Sequence, residues 1–304
     1  MLSNKIRRKL ENLKELPSIP SVISNVLNEI DAPDYSAKYI AKLIEQDQGL
    51  TARILKMANS PYYGLVRTIS TIDTAIIILG SNTIKEILLS LLMQKIFTKT
   101  RSKLLNTKSF WQYSIFCGAA SRFIARKMKY KIVSEAFVTG LMHDIGILVA
   151  MDNFRNNFSK VRKLQTEEGY SIIEAELEVL ECTHSDIGAW ITEKWNFPEK
   201  ISNALKFHHT PFYVADEEYY SDDFISNPTF NKLKYPLATI TSISEWFAFE
   251  CGMKNWDTNN EPTYYATNEF IMNMVDDELL DYDSALVVLK QGIMDEYEKC
   301  SVNF

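Results

Sequence analysis

Residues 137–148 read FVTGLMHDIGIL, an apolar run interrupted by one histidine and one aspartate, His143 and Asp144. Phe137, Val138, Leu141, Met142, Ile145 and Leu148 recur at the spacing of a helix, and the stretch predicts a buried helix over 134–151. Burying an ionisable pair in such a helix costs free energy unless partners meet it there. The chain has only four histidines. His184 opens a helix predicted over 184–195, and His208 and His209 close one predicted over 198–208. If these helices converge, Asp144 and the imidazoles of His143, His184, His208 and His209 form a donor set suited to one divalent ion of the iron, zinc, manganese or nickel type. Each residue alone has a plainer reading. A histidine on an apolar helix is commonly a hydrogen-bonded core residue, and a His-His pair at a helix end can simply satisfy the last carbonyls. Both readings stay open at this point.

The rest of the chain is equally helical in pattern, and the expected fold class is all-α. Val22, Ile23, Val26, Leu27 and Ile30 share one face; Tyr39, Ile40, Leu43 and Ile44 repeat the pattern behind Ser36, a predicted N-cap. Leu50, Ile54, Leu55 and Ala58 form a third short helix, ended by Asn59-Ser60-Pro61. Ile76, Ile77 and Ile78 could belong to a strand, but Thr71 as a start signal and Gly80 as a stop favour a helix, followed by another to about Phe97. Asp47 and Asp73 read as helix caps, Tyr62 and Tyr63 as turn and packing residues. Longer helices are predicted over 108–128, 153–168, 170–181, 230–251 and 282–299. The acidic run ADEEYYSDD at 215–223 and the segment around Trp256–Pro262 read as loops.

Composition agrees. There are only 10 glycines and 9 prolines in 304 residues, too few for the many tight turns of a β-sandwich. With 24% charged and 46% hydrophobic residues the chain is an ordinary globular one. Its length lets it bury roughly three-quarters of its unfolded surface without disulfides, and Cys117, Cys182, Cys251 and Cys300 are expected to be free thiols. The 33 basic and 39 acidic residues give a net charge of −6, which argues against DNA as a partner. No signal-peptide pattern or uncharged spanning segment stands out, so the expectation is a cytoplasmic protein without membrane insertion.

Longer stretches carry a resemblance. LPSIPSVISNVLNEI (16–30), IAKLIEQDQGLTARILKMANSPYYG (40–64), STIDTAIIILGSNTIKEILLS (70–90), FWQYSIFCGAA (110–120), FVTGLMHDIGILV (137–149) and HSDIGAWITEKWNFPEKISNALKFHH (184–209) are similar, in this order, to the HDOD domain. That domain is a divergent branch of the HD superfamily of metal-dependent phosphohydrolases, and the likeness covers about residues 13–210. It implies a bundle of short helices over 1–100 packed on an HD-type helical bundle over 101–304 with a C-terminal helical extension. It also implies a bacterial signalling setting. In the two-metal branch of the superfamily Asp144 would bridge two ions, His184, His208 and His209 serving one and His143 the other.

Three positions depart from the pattern of the active hydrolases. The superfamily's first histidine falls at Tyr113, a phenol and a poor ligand at neutral pH. Ile147 stands where a lysine often follows HDIG. The closing aspartate falls at Glu245 in TITSISEWF (239–247), and no Gly-Tyr-Pro follows His209. A catalyst needing two ions would be crippled by these changes. The resemblance with its departures therefore implies a non-catalytic module, stand-alone in the absence of receiver, GGDEF-like or EAL-like segments, that binds a protein partner and keeps a vestigial metal pocket. The competing expectation is a phosphohydrolase acting on nucleotide or cyclic-dinucleotide esters, a nucleotide being then the ligand.

Overall fold

A computed structural model describes residues 4–11, 19–30, 32, 35–99, 105–211, 233–253, 268–275 and 280–301. Among these the chain forms helices and no β-strand. It divides into two compact units, Ser18–Ile96 with Glu298–Phe304, and Met1–Pro17 with Phe97–Tyr297. The loops predicted at 215–223 and around Trp256–Pro262 lie outside the described residues.

Helix α1 (Asn4–Glu11) belongs to the larger unit. The smaller unit holds α2 (Ser21–Ile30), α3 (Ala37–Ile44), α4 (Gln48–Ala58), α5 (Ile72–Leu79) and most of α6 (Ser81–Lys99). Ser36 accepts a bond from the Tyr39 N–H and Asp47 one from the Leu50 N–H, satisfying donors that the first turns of α3 and α4 leave free. Thr71, rather than Asp73, is the N-cap of α5, and Asp73 lies in its first turn. Ile40, Ala41 and Ile44 line the buried face of α3 while Tyr39 stays half-exposed. The Asn59 side chain ties the end of α4 to the following loop, donating to the Leu55 and Ile69 carbonyls and accepting from the Ile69 N–H at 2.7 Å.

The larger unit is built on α7 (Thr107–Lys127), α8 (Val133–Met142), α9 (Ile145–Asn153), α10 (Arg155–Glu168), α11 (Ile172–Leu180), α12 (His184–Lys194), α13 (Glu199–Phe207), α14 (Pro236–Glu250), α15 (Asn268–Asn273) and α16 (Tyr282–Ser301). Its core gathers Phe116, Ile124, Leu237, Ile240, Phe247 and Leu289, from α7, α14 and α16. Helices α11 and α12 each begin with a reciprocal capping box, Ser171 with Glu174 and Thr183 with Asp186. Gly169 takes the left-handed conformation (φ 75°) that ends α10. All four cysteines are free, and Cys117, Cys182 and Cys300 are buried.

Two predicted elements need correction, and one helix is added. The single helix over 134–151 is two, broken at His143 and Asp144, because the His143 ring takes the Gly140 carbonyl at 2.7 Å and Asp144 leaves helical geometry (ψ 12°). The helix predicted from residue 230 begins at Pro236, a residue suited to a first turn. Helix α15 was not foreseen from the periodicity. Val133–Asn153 is apolar and long enough to cross a membrane by composition, as is the pair Ile72–Leu79 and Ser81–Thr98, which bends by 117°. The former runs through the core of the larger unit and carries the break at His143 and Asp144.

Candidate metal centre

Two glycines let the helices close around the break. Gly140, on α8, faces the Cys117 carbonyl of α7, and Gly146, on α9, faces the His184 carbonyl of α12; a Cβ on either would collide with backbone. The first turn of α9 is thereby seated on the start of α12. His208 and His209 follow directly on α13, and Glu245 projects from α14.

The histidine rings are set by their outer nitrogens. His143 Nδ1 lies 2.7 Å from the Gly140 carbonyl, His208 Nδ1 2.6 Å from the Leu205 carbonyl, and His184 Nδ1 2.8 Å from the Glu176 carboxylate. Those oxygens can only accept, so each Nδ1 carries the proton and donates. Each Nε2 is left to face inward, towards Asp144. Asp144 Oδ1 lies 3.2 Å from His184 Nε2 and 3.9 Å from His208 Nε2. His209 Nε2 sits 2.9 Å from His184 Nε2. The other oxygen, Oδ2, is 3.3 Å from His143 Nε2, which is itself 3.5 Å from Glu245 Oε1. One aspartate thus separates two groups of donors, Asp144 with His184, His208 and His209, and Asp144 with His143 and Glu245. Within each group the donor atoms lie within 4.8 Å of one another.

This arrangement passes the test of fit for a cation. His143, Asp144, His184 and His208 are all 3% exposed or less. Yet His143 Nε2, His208 Nε2 and Asp144 Oδ2 make no aligned hydrogen bond, although buried polar atoms are nearly always satisfied. The electrostatics point the same way. Burial opposes ionisation of Asp144, but His143 and His184 overcome it and hold the carboxyl well below its usual range. Burial likewise disfavours charge on His184, yet Glu176 and Asp144 raise it to about 10. His143 is raised by Asp144 and Glu245 against the same burial. Burial pushes His208 well down, and His209 down to about 4, with the neighbouring rings adding to the effect. Two neutral rings and two proton-seeking ones around a carboxylate are what imidazole and carboxylate ligands of a borderline divalent ion would look like without it.

All five residues singled out in the sequence, His143, Asp144, His184, His208 and His209, meet here. Of the three departures, Glu245 joins the second donor group. Tyr113, on α7, donates its hydroxyl to Glu245 Oε1 at 3.4 Å, and burial raises the phenol far above its ordinary value, keeping it neutral. Ile147 is buried on α9 with no polar group to offer. Glu176 was missed: it is fully buried and grips His184 through both the ring and the backbone N–H. Its sequence signal was an acid between Ile172 and Leu180, four residues from each, in the stripe that a helix would bury.

The HDOD domain family model matches residues 16–211. The chain belongs to the HDOD family. Its fold is shared by an HDOD domain protein of Geobacter sulfurreducens, 21% identical, with a TM-score of 0.74 over 98% of this chain and 97% of that one. A Shewanella amazonensis protein bearing the name of a phosphohydrolase has a TM-score of 0.66 at 18% identity, covering 98% of each chain. A Marinobacter aquaeolei protein named for signal transduction has a TM-score of 0.68 at 18% identity, over 98% of this HDOD chain and 65% of that one. An uncharacterized protein of Treponema pallidum is 24% identical over 208 residues, 68% of this HDOD chain but only 40% of the relative's own length.

Proposed function

We propose that this HDOD protein is a non-catalytic signalling module in which Asp144, His184, His208 and His209 hold one divalent metal ion and the helical surface engages a protein partner. The metal half of this reading rests on one observation: His184 and His208 are locked by their Nδ1–H groups with Nε2 turned onto the buried Asp144, and His209 Nε2 joins them 2.9 Å from His184 Nε2. A divalent ion held by these residues would supply positive charge beside the buried Asp144 carboxylate. Were the ion zinc, four protein donors would fill a shell of the structural type, whereas catalytic zinc sites keep a position open. The second donor group is occupied differently. Tyr113 spends its proton on Glu245, and Ile147 puts an apolar side chain beside the break. Ile147 can neither orient nor protonate a phosphate, and the Tyr113 hydroxyl is engaged by Glu245. The name carried by the Marinobacter protein supports a signalling role.

Elemental analysis of untagged protein is expected to find close to one equivalent of iron, zinc, manganese or nickel. His184→Ala and Asp144→Ala should lose it and melt at lower temperature. A metal-free wild type would sink the proposal. Incubation with manganese or ferrous iron and a panel of nucleotides and cyclic dinucleotides should give no turnover above the Asp144→Ala background.

A second reading has one specific observation behind it. Glu245 lies 3.5 Å from His143 and shares Asp144 with the first group, so two ions could stand side by side as in a two-metal phosphohydrolase. The name of the Shewanella protein agrees with it. Turnover of any phosphate ester that Asp144→Ala abolishes would establish this reading over the first.

A further inference from the structure

Helix α11 carries an acid in the middle of its buried apolar face, between Ala175 and Leu180. It buries Glu176 completely and leaves the adjacent Leu177 51% exposed. A helix buries its apolar side, and an acid on that side is costly to bury unless a partner meets it there. Something inside the unit must therefore repay the burial of Glu176. The only bonds in view run to one residue. Glu176 Oε2 accepts the backbone N–H of His184 at 2.8 Å and its ring Nδ1–H at 2.8 Å, while Oε1 has no hydrogen-bond partner among the described residues.

We infer that Glu176 is the positioning residue of the metal centre, fixing His184 in the tautomer whose bare Nε2 faces Asp144 and making that nitrogen a stronger donor. The inference rests on the metal reading above and adds the residue that tunes it. His143 and His208 present their Nδ1–H groups to neutral carbonyls, and of these three rings His184 presents it to a carboxylate within hydrogen-bond distance. A carboxylate behind an imidazole raises its basicity and fixes its ring orientation. His184 Nε2 also touches two other members of the first group, 3.2 Å from Asp144 Oδ1 and 2.9 Å from His209 Nε2. Its orientation therefore sets the geometry of the whole first group. The backbone bond serves the same end, since it holds the first residue of α12 against α11 and fixes where the ring begins.

The test measures the affinity of the purified full chain for zinc by competition with a chromophoric chelator, for wild type, Glu176→Gln and Glu176→Ala. Glu176→Gln keeps the side chain's size and a neutral acceptor, so it should fold like wild type and bind zinc roughly 10-fold more weakly. Glu176→Ala should weaken binding by up to about 100-fold, the range seen when such outer partners are removed. Nitrogen-15 spectra of the zinc-loaded imidazoles should show the His184 Nδ1–H in a strong hydrogen bond in wild type, weakened in Glu176→Gln and lost in Glu176→Ala. A purely structural residue would lower the melting temperature of the metal-free chain and leave zinc affinity untouched. Equal zinc affinity in wild type and Glu176→Gln overturns the inference while the metal reading stands. Failure of wild type to bind zinc, manganese or iron overturns both.

Discussion

At the scale of single residues, the position of Tyr113 decides how many ions the cluster can hold. Its neutral hydroxyl bonds to Glu245 and so engages a carboxylate that His143 also faces. Replacing it by histidine should add an imidazole to the second donor group. Tyr113→His is therefore expected to raise the manganese or iron bound from about one to about two equivalents per chain, read by elemental analysis after desalting; an unchanged stoichiometry would show that Tyr113 does not close that group. The five residues of the first reading were legible because histidine is rare in this chain and an ionisable pair in an apolar run stands out. Glu245 was legible only as a register position, since nothing in TITSISEWF says which residue of the helix points at His143. Glu176 stands in the stripe that α11 would bury, which marks the position but not its partner. Its burial depends on a contact eight residues away, across a loop and a helix start, which no local pattern encodes.

At the scale of elements, the centre depends on how closely α9 can approach α12. Gly146→Ala places a methyl group against the His184 carbonyl, and the helices must part. The expected cost is about 1–3 kcal/mol in urea unfolding, together with loss of bound metal because His184 moves from Asp144. Gly169→Ala is the contrasting case. It strains a left-handed helix end with open space around it, so it should cost about 1 kcal/mol and leave metal content unchanged. Most elements were readable from apolar spacing and start signals such as Ser36 and Asp47, whose side chains accept the bonds expected of caps. The break between α8 and α9 was not. Apolar periodicity runs straight through it, and the interruption comes from a side chain, that of His143, competing for a carbonyl of its own helix.

At the scale of the whole molecule, every donor belongs to the larger unit. Ligand binding stabilises only the structure that holds it, by about 2.7 kcal/mol when the free ion stands at a hundred times its dissociation constant. Stripping the metal with a chelator should accordingly speed amide exchange in α8, α9, α12 and α13 while α2–α5 keep their protection; equal loss in both sets would mean that the ion acts on more than its own unit. The class of fold was readable throughout, since few glycines and prolines leave little but helices to build. The division into units was harder to see, because residues 298–304 cluster with a unit two hundred positions upstream. The aspartate shared between the two donor groups has a consequence for titration. An anion pulled from both sides gives each claimant less than its full charge, so filling one seat must cheapen the other. In the Tyr113→His chain, where both seats can fill, successive additions of cation should then bind in two unequal steps, the second weaker than the first, and the gap between them would gauge how far a single carboxylate can be divided.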